Sequence, residues 1–333
     1  MEPPSDCVCR TPLKFGVLLP HFGEHASVDR IVATAPYIEQ LGFDSVWVRD
    51  HLLWKPHELE SQDTTFLDPL LTLAAVSAVT ERLVLGTAVL IPIRWPLKLA
   101  QSLATLSFLS DGRVIAGIGQ GSNPTEITAI GLDPADRQAF LLETIEVLGS
   151  VWGSDRAEFD GRFTTFTDVT LQPRPAAHIP ILMGGIGRLA VRRAVEYADG
   201  WLPGRIPMAT LDDRLGLLRS LAEEAEKEMM TGIVPLVRIA ERRDEARSTI
   251  DVDNLSLGWE KRNWIPPPGG SFRSIEDLSG MLMAGDPDDC IAEVTKLAER
   301  NIDFVVFDLR LDFGQYHHQL ELISRHVLPA FPS

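Results

Sequence analysis

A carboxylate and an imidazole stand side by side at Asp50 and His51, directly after the apolar run SVWVR at 45–49. A carboxylate beside a histidine can orient the ring and move its pKa toward the working pH. The pair could therefore hydrogen-bond a cofactor and deliver a proton. The alternative is that Asp50 caps a loop and His51 only packs.

Glycine-rich segments follow later apolar runs. One such segment is GIGQGSN at 117–123, with Glu126 close behind. Its three glycines have no side chains, so a flat group could approach the backbone there. An ordinary tight turn gives the same pattern. MGGIGR at 183–188 opens a predicted helix, whose first N–H groups suit a phosphate. Arg188 lies in the first turn and could reach that anion. The small residues GTAV at 86–89 leave room for a planar ring.

Apolar runs alternate with amphipathic stretches along the chain. The predicted strands span 14–19, 45–49, 83–89, 113–118, 179–183, 199–203, 233–240 and 303–309. The predicted helices span 28–41, 69–79, 96–110, 134–152, 187–197, 211–229, 288–300 and 315–327. Repeated βα units indicate a parallel sheet of the α/β class, and eight of them favour a closed (β/α)8 TIM barrel. An open doubly wound sheet is the alternative, but PHFG at 20–23 lacks the glycine fingerprint of that fold.

A length of 333 residues suits one barrel with insertions. The predicted domain spans 14–330, after a disordered lead-in at 1–13 that has no signal-peptide core. The insertion at 153–178 contains a predicted hairpin. The insertion at 241–286 opens onto the carboxyl face as a lid or substrate wall, or is a loosely ordered surface excursion.

A net charge of −16 argues against nucleic acid or an anionic membrane as the partner and leaves a small-molecule substrate. The sequence contains no run of about 20 apolar residues, so it predicts no membrane-spanning helix. Cys7, Cys9 and Cys290 have no further ligands nearby, so they predict no metal site and have a structural or incidental role. We expect a reduced, cytoplasmic protein.

Four segments together resemble the luciferase-like monooxygenase superfamily, in particular its branch of oxidoreductases that depend on the deazaflavin coenzyme F420. They are LGFDSVWVRDHL (41–52), DPLLTLAAVSAVTERLVLGTAVL (68–90), LATLSFLSDGRVIAGIGQG (103–121) and ILMGGIGRLAVRRAVEYADGWLP (181–203). The resemblance runs from about residue 14 to 203, with a weaker echo at 285–309.

The resemblance implies a TIM barrel that holds a flavin-type ring inside its carboxyl mouth. It places a non-prolyl cis peptide between Ala88 and Val89, and it places the family's Asp-His pair on Asp50 and His51. The cofactor contacts that it implies are Asp50, Ala88, Val89, Gly119, Gln120, Gly121, Met183, Gly184, Gly185, Gly187 and Arg188.

The chain departs from the family pattern in two places. Ser122 stands where a related group of sugar-phosphate dehydrogenases keeps a catalytic glutamate, and the nearest acid is Glu126. Glu126 is therefore the third candidate catalytic residue beside Asp50 and His51. The loop after His51 is unlike that of most relatives, so the resemblance implies no particular substrate.

The resulting hypothesis is hydride transfer between a deazaflavin and a small organic substrate. In this hypothesis Asp50 binds the cofactor and holds His51, which supplies or takes the compensating proton. The alternatives are an FMN-dependent monooxygenase on the same fold and a non-catalytic flavin-binding barrel. The resemblance implies a homodimer. Trp54, Trp259 and Trp264 indicate either an aromatic pocket or plain packing.

Overall fold

The computed structural model describes residues 12–55, 62–256 and 259–331. Its strands are β1 (Lys14–Leu18), β2 (Ser45–Val48), β3 (Val84–Leu90), β4 (Val114–Ile118), β5 (Ala157–Asp160), β6 (Thr165–Val169), β7 (Ile181–Gly184), β8 (Gly200–Leu202), β9 (Met230–Ile233), β10 (Leu236–Ile239), β11 (Leu282–Gly285) and β12 (Phe304–Phe307). Its α-helices are α1 (Ala35–Gln40), α2 (Pro69–Ser77), α3 (Pro96–Leu109), α4 (Pro124–Ala129), α5 (Arg137–Gly153), α6 (Arg188–Tyr197), α7 (Met208–Glu224), α8 (Arg243–Arg247), α9 (Val252–Ser256), α10 (Pro287–Ala298) and α11 (Tyr316–Leu322).

Eight parallel strands close into a barrel in the order β1-β12-β9-β8-β7-β4-β3-β2. The prediction of a (β/α)8 barrel is confirmed, and the doubly wound alternative is wrong. The strands are rich in Val, Ile and Leu because helices cover the outside of the barrel while the opposite strands cover the inside. In the described part of the chain, no helix has both the length and the hydropathy needed to cross a bilayer.

Aromatic side chains fill the inside of the barrel. Trp47 stacks on Phe304, with ring centroids 5.2 Å apart and planes 13° from parallel. Neighbouring strands make room with glycine: a Cβ atom on Gly86 would lie 2.2 Å from the Trp47 indole, and one on Gly232 would lie 2.1 Å from the Phe304 ring. The barrel is therefore a packed core, and a ligand can be held only outside the strand ends.

The seventh strand differs from its prediction over 233–240. The barrel strand β9 ends at Ile233, and β10 leaves the barrel to pair in parallel with β11 in a separate two-stranded sheet. Pro235 lies at the break, and a proline has no N–H to continue a ladder. Its carbonyl still accepts a hydrogen bond from the backbone of Asp308 at 3.0 Å. The insertion predicted over 241–286 thus ends in a strand, β11, which the sequence reasoning missed.

Three helix starts also differ from their predictions. The helix predicted over 28–41 consists of a π-helical segment, Asp29–Ala33, followed by α1, which begins only at Ala35. α5 begins at Arg137 rather than at residue 134, because the Asp136 N–H bonds to the Asp133 carbonyl (2.8 Å) in a preceding turn. α7 begins at Met208 rather than at 211. The predicted hairpin is confirmed, since β5 and β6 pair antiparallel. Most of the predicted lead-in, with Cys7 and Cys9, lies outside the described residues.

Candidate active site

Val89 stands in the carboxyl mouth of the barrel at the end of β3. The peptide bond between Ala88 and Val89 is cis, which confirms the prediction from the resemblance. Two glycines at neighbouring strand ends make room for the half-buried Val89 side chain. A Cβ atom on Gly119 would lie 2.7 Å from a Val89 methyl group, and one on Gly184 would lie 3.1 Å away. These glycines, predicted to admit a cofactor, serve first to admit Val89.

Asp50, at the end of β2, is 3% exposed. Its carboxylate accepts a hydrogen bond from the Ile91 N–H (3.0 Å) and two from the Arg94 guanidinium (2.6 and 3.0 Å). Arg94 also contacts Asp68 at 2.8 Å, and Asp68 caps α2 through the Leu70 N–H. Burial raises the pKa of Asp50, and the guanidinium opposes that rise.

The prediction that Asp50 holds His51 is wrong, because Arg94 and the Ile91 N–H take up the Asp50 carboxylate. Arg94 was missed by the sequence reasoning. A signal for it existed, since a buried carboxylate at a strand end needs a cation nearby, and Arg94 stands in the loop after the neighbouring strand.

His51 is held by Glu126 instead. The Nδ1 atom of His51 lies 3.1 Å from Glu126 Oε2, while Glu126 Oε1 accepts from the backbone N–H groups of Leu52 (2.6 Å) and Leu53 (3.0 Å). Glu126 is fully buried. Burial raises its pKa, but the hydrogen bonds from His51, Leu53 and Leu52 outweigh burial and lower the pKa below its usual value. The group is therefore a carboxylate near neutral pH.

Glu126 reaches His51 because α4 follows the glycine segment after β4. Asn123 starts this helix by accepting a hydrogen bond from the Thr125 N–H at 3.0 Å. The sequence reasoning named Glu126 as a candidate but did not predict α4 or this pairing.

The His51 ring packs between two aromatic side chains. Its centroid lies 4.7 Å from that of Trp54 and 5.2 Å from that of Phe66. Because Nδ1 faces a carboxylate, the proton of a neutral ring lies on Nδ1, and Nε2 is the nitrogen that can accept one. No hydrogen bond within the described ranges reaches Nε2, and the His51 side chain is 17% exposed. His51 can therefore exchange a proton through Nε2.

A second histidine, His21, lies fully buried at the end of β1 and was missed by the sequence reasoning. Its Nδ1 lies 2.9 Å from the Leu19 carbonyl oxygen, and its Nε2 lies 3.0 Å from that of Arg49. Burial lowers the pKa of His21 from 6.5 to about 4. His21 is therefore neutral near pH 7, and it ties the ends of β1 and β2 together.

The predicted phosphate turn lies between β7 and the ten-residue helix α6. Gly185 has a φ of +116°, a backbone conformation that favours glycine, and its carbonyl accepts from Trp201 Nε1 at 2.7 Å. Gly187 precedes the first residue of α6. The Arg188 guanidinium contacts Asp213 at 2.6 Å and is half exposed. The structure thus places Arg188 in an ion pair on α7, and its contact with an anion stays a prediction.

Arg214 is the buried arginine beside this turn, and the sequence reasoning missed it. Its Nε donates to the Ile186 carbonyl (3.1 Å), and its Nη2 donates to the Asn263 carbonyl (3.2 Å). The bond to Asn263 ties the insertion after β10 to the phosphate turn. Trp264, next in that insertion, packs against Phe272 at a centroid distance of 5.4 Å, so its role is packing.

The remaining predicted contacts lie at the ends of β4 and β7. Gln120 is half-buried, and Gly121 follows it with a φ of +72°. Met183 is buried in β7 and pairs with Ile118 of β4. The structure therefore brings Val89, the residues after β4 and the β7–α6 turn to one mouth, with the His51–Glu126 dyad at its side. The side chain of Trp259 lies outside the described side chains.

The chain is similar to known proteins over most of its length. The sequence model of the luciferase-like monooxygenase family matches residues 13–303. The F420-dependent glucose-6-phosphate dehydrogenase of Amycolatopsis mediterranei is 29% identical over 327 residues, which cover 90% of this chain and 93% of that protein. The protein of the same name from Beutenbergia cavernae is 30% identical over 318 residues, which cover 90% and 92%.

A solved structure shows the same fold. An F420-dependent secondary alcohol dehydrogenase, in complex with an F420-acetone adduct, superposes with a TM-score of 0.78 at 21% identity. The match covers 97% of this chain and 100% of that chain.

Replacing Arg94 with methionine should destabilise the protein by about 3–5 kcal/mol, because Asp50 becomes a buried carboxylate without a cation. Adding Asp50→Asn should recover part of this loss. Urea unfolding measures both variants, and Arg156→Met, which breaks an exposed ion pair with Asp168, serves as the control with little expected change. A loss of less than about 1 kcal/mol in the Arg94 variant would contradict this account of the pair.

His21 should make folding depend on pH. The unfolded chain binds a proton near pH 6.5 and the folded chain only near 4, so stability falls as the pH drops through this window. Between about pH 7 and about pH 5 we expect His21 to account for about 2 kcal/mol of lost stability. The measurement is urea unfolding at both pH values for the natural protein and His21→Gln. Equal pH dependence in the two proteins would refute the assignment.

Proposed function

The chain belongs to the luciferase-like monooxygenase family, and on that premise we propose that it is an oxidoreductase that transfers a hydride between a deazaflavin, coenzyme F420, and a small organic substrate. The observation that carries the proposal is the His51–Glu126 dyad, which lies beside the carboxyl mouth of the barrel where Val89 stands. Support for the choice of cofactor comes from relatives named as F420-dependent dehydrogenases, which match 90% of the chain.

The residues present fit such a cofactor. The half-exposed Val89 side chain offers an apolar support in the middle of the mouth, where a planar ring can lie. At the end of the adjacent strand β4, Gly119 and Gly121 flank Gln120 and have no side chains to fill the space above the backbone. The turn from Gly184 to Gly187 opens α6, whose first N–H groups and positive dipole end suit a phosphate. When bound, the deazaflavin supplies or accepts the hydride.

The dyad handles the proton that must accompany the hydride. Reducing a carbonyl carbon leaves an oxygen that needs a proton, and oxidising an alcohol releases one. His51 Nε2 can donate the proton in the first direction and accept it in the second. Glu126 keeps the ring proton on Nδ1 and stabilises the ring when both nitrogens are protonated.

Asp50 has a different role from the one first assigned. Because its carboxylate binds Arg94 and the Ile91 N–H, we propose that it fixes the loop after β3, and with it Val89, against the end of β2. Its contact with the cofactor is then secondary to this positioning role.

Two variants test the dyad. His51→Ala should lower turnover by about 10²–10⁴-fold and leave deazaflavin affinity unchanged, because only the proton transfer is lost. Glu126→Gln should also lower turnover and alter its pH profile. Turnover is followed by deazaflavin absorbance with a panel of alcohols and ketones. The matched control is Glu143→Gln, since Glu143 is a buried carboxylate that accepts from Arg162 and Phe163 at the β5–β6 hairpin.

The same titration separates the proposal from its rivals. Tight FMN binding without deazaflavin affinity would favour an FMN-dependent monooxygenase. Equal loss of binding and turnover in His51→Ala would reduce His51 to a cofactor contact. A protein that binds the cofactor but oxidises or reduces nothing in the panel would be a non-catalytic barrel.

We also propose that two copies of the chain associate through α2. This helix contains no charged residue, and its outer face exposes Leu71, Ala75, Ala78 and Val79 around its end. A helix that is apolar on all sides is usually buried. On a chain with a net charge of −16, an uncharged face is where two copies meet with the least repulsion.

Leu71→Glu should therefore shift the protein toward monomer, because a carboxylate would have to be buried in the contact. Sedimentation velocity measures the distribution. Val28→Glu is the matched control, since Val28 is 73% exposed and Leu71 is 74% exposed. The same distribution in both variants would exclude α2 as the contact.

A further inference from the structure

A pocket of about 280 Å³ opens beside the dyad, between the loop after β1 and the loop after β12. We call it the rim pocket. Its apolar wall consists of Phe22, Trp54, Leu311 and Phe313. The Phe22 ring lies 5.8 Å from Trp54 and 5.5 Å from Phe313, between centroids. A pocket of this size, lined by aromatic rings, suits a small molecule that carries a ring of its own.

The rim pocket shares one wall with the proposed reaction site. Trp54 lines the pocket, and its ring also packs against His51 at a centroid distance of 4.7 Å. One aromatic ring, that of Trp54, therefore separates a molecule in the pocket from His51, so the reacting group of the molecule has to extend past the edge of this ring.

Two of the charged groups that line the pocket, Arg310 and Asp312, have charged partners. Arg310 donates to the buried Asp308 carboxylate at 2.7 Å, and Asp312 pairs with Arg238. Glu24 is exposed, and the nearest ring nitrogen, His25 Nε2, is 4.0 Å away in a ring whose pKa is lowered by burial. An entering phosphate would have to compete with Asp308 for Arg310 and would face two carboxylates.

A cationic ligand meets the opposite obstacle. The guanidinium of Arg49 lies 5.1 Å from the Phe22 centroid and 4.7 Å from the Trp54 centroid. The guanidinium of Arg310 lies 5.5 Å from the Phe22 centroid. The aromatic rings that could attract an ammonium group therefore already have two guanidinium groups packed against them.

We propose that the rim pocket binds the substrate, and that the substrate class is small uncharged ring compounds, aromatic or alicyclic, bearing the alcohol or carbonyl group that reacts. This inference rests on the proposed function for the reaction, but the pocket and its charge balance stand apart from it. The proposed substrate class differs from glucose 6-phosphate, the anion for which some relatives of this chain are named.

The test compares three probes that share a phenyl ring: acetophenone, benzylamine and phenyl phosphate. Binding is measured by isothermal titration calorimetry on the full chain, with and without deazaflavin. Acetophenone should bind at least about ten-fold more tightly than either charged probe, since the phosphate faces the Glu24 and Asp312 carboxylates and the ammonium faces the guanidinium groups of Arg49 and Arg310. Equal or tighter binding of phenyl phosphate would overturn the proposal, and so would preferential binding of benzylamine.

Two variants locate the bound probe. Leu311→Trp should fill the pocket and abolish acetophenone binding, and Phe313→Ala should weaken binding about ten-fold by removing one ring contact. Leu109→Trp, at an exposed site on α3, is the matched control and should change nothing. Leu311→Trp keeps the test valid if Phe313→Ala does not fold. Unchanged acetophenone affinity in a folded Leu311→Trp protein would place the binding site elsewhere and refute the proposal.

The two proposals fail in different ways. If acetophenone binds the rim pocket but deazaflavin does not bind, the pocket assignment is supported and the proposed function is wrong. If deazaflavin binds and turns over with glucose 6-phosphate but no neutral ring compound binds, the proposed function is supported and the substrate class is wrong.

Discussion

The candidate site depends on one buried carboxylate, Glu126. It is the point at which α4, the loop after β2 and the His51 ring meet, and it accepts hydrogen bonds from the backbone of Leu52 and Leu53 as well as from His51. A buried carboxylate must be satisfied on nearly all sides, and each donor that satisfies it is thereby held in place. The orientation of His51 is therefore a consequence of satisfying Glu126, and the backbone bonds hold the carboxylate in place while the ring gains or loses a proton.

A second buried carboxylate, Asp50, has a role separate from that of Glu126. Asp50 stands next to His51 in the chain, yet it faces Arg94 across the end of the neighbouring strand. Adjacent residues at the end of β2 thus serve different purposes: Asp50 anchors the loop after Val89, and His51 faces the rings of Trp54 and Phe66.

The fold could be predicted because its signals are local. Apolar runs mark the barrel strands, and the family resemblance alone places the cis bond between Ala88 and Val89. The side-chain pairing could not be predicted, because Glu126 and His51 are 75 residues apart and meet only when α4 forms. The short PTEITA stretch of α4 has no apolar periodicity to reveal it. The break at Pro235 was missed for a related reason, since an apolar run on both sides of a proline resembles one strand.

The packed interior of the barrel has a kinetic consequence. Trp47 and Phe304 fill the space between the strands, so a ligand at the mouth enters and leaves on the carboxyl side of the barrel and not through its interior. A ligand seated deep against Val89 can depart only after whatever lies above it has left. Two ligands held one above the other in this way would bind and leave in a compulsory order, because the outer ligand blocks the inner one and not because either changes the affinity of the other site.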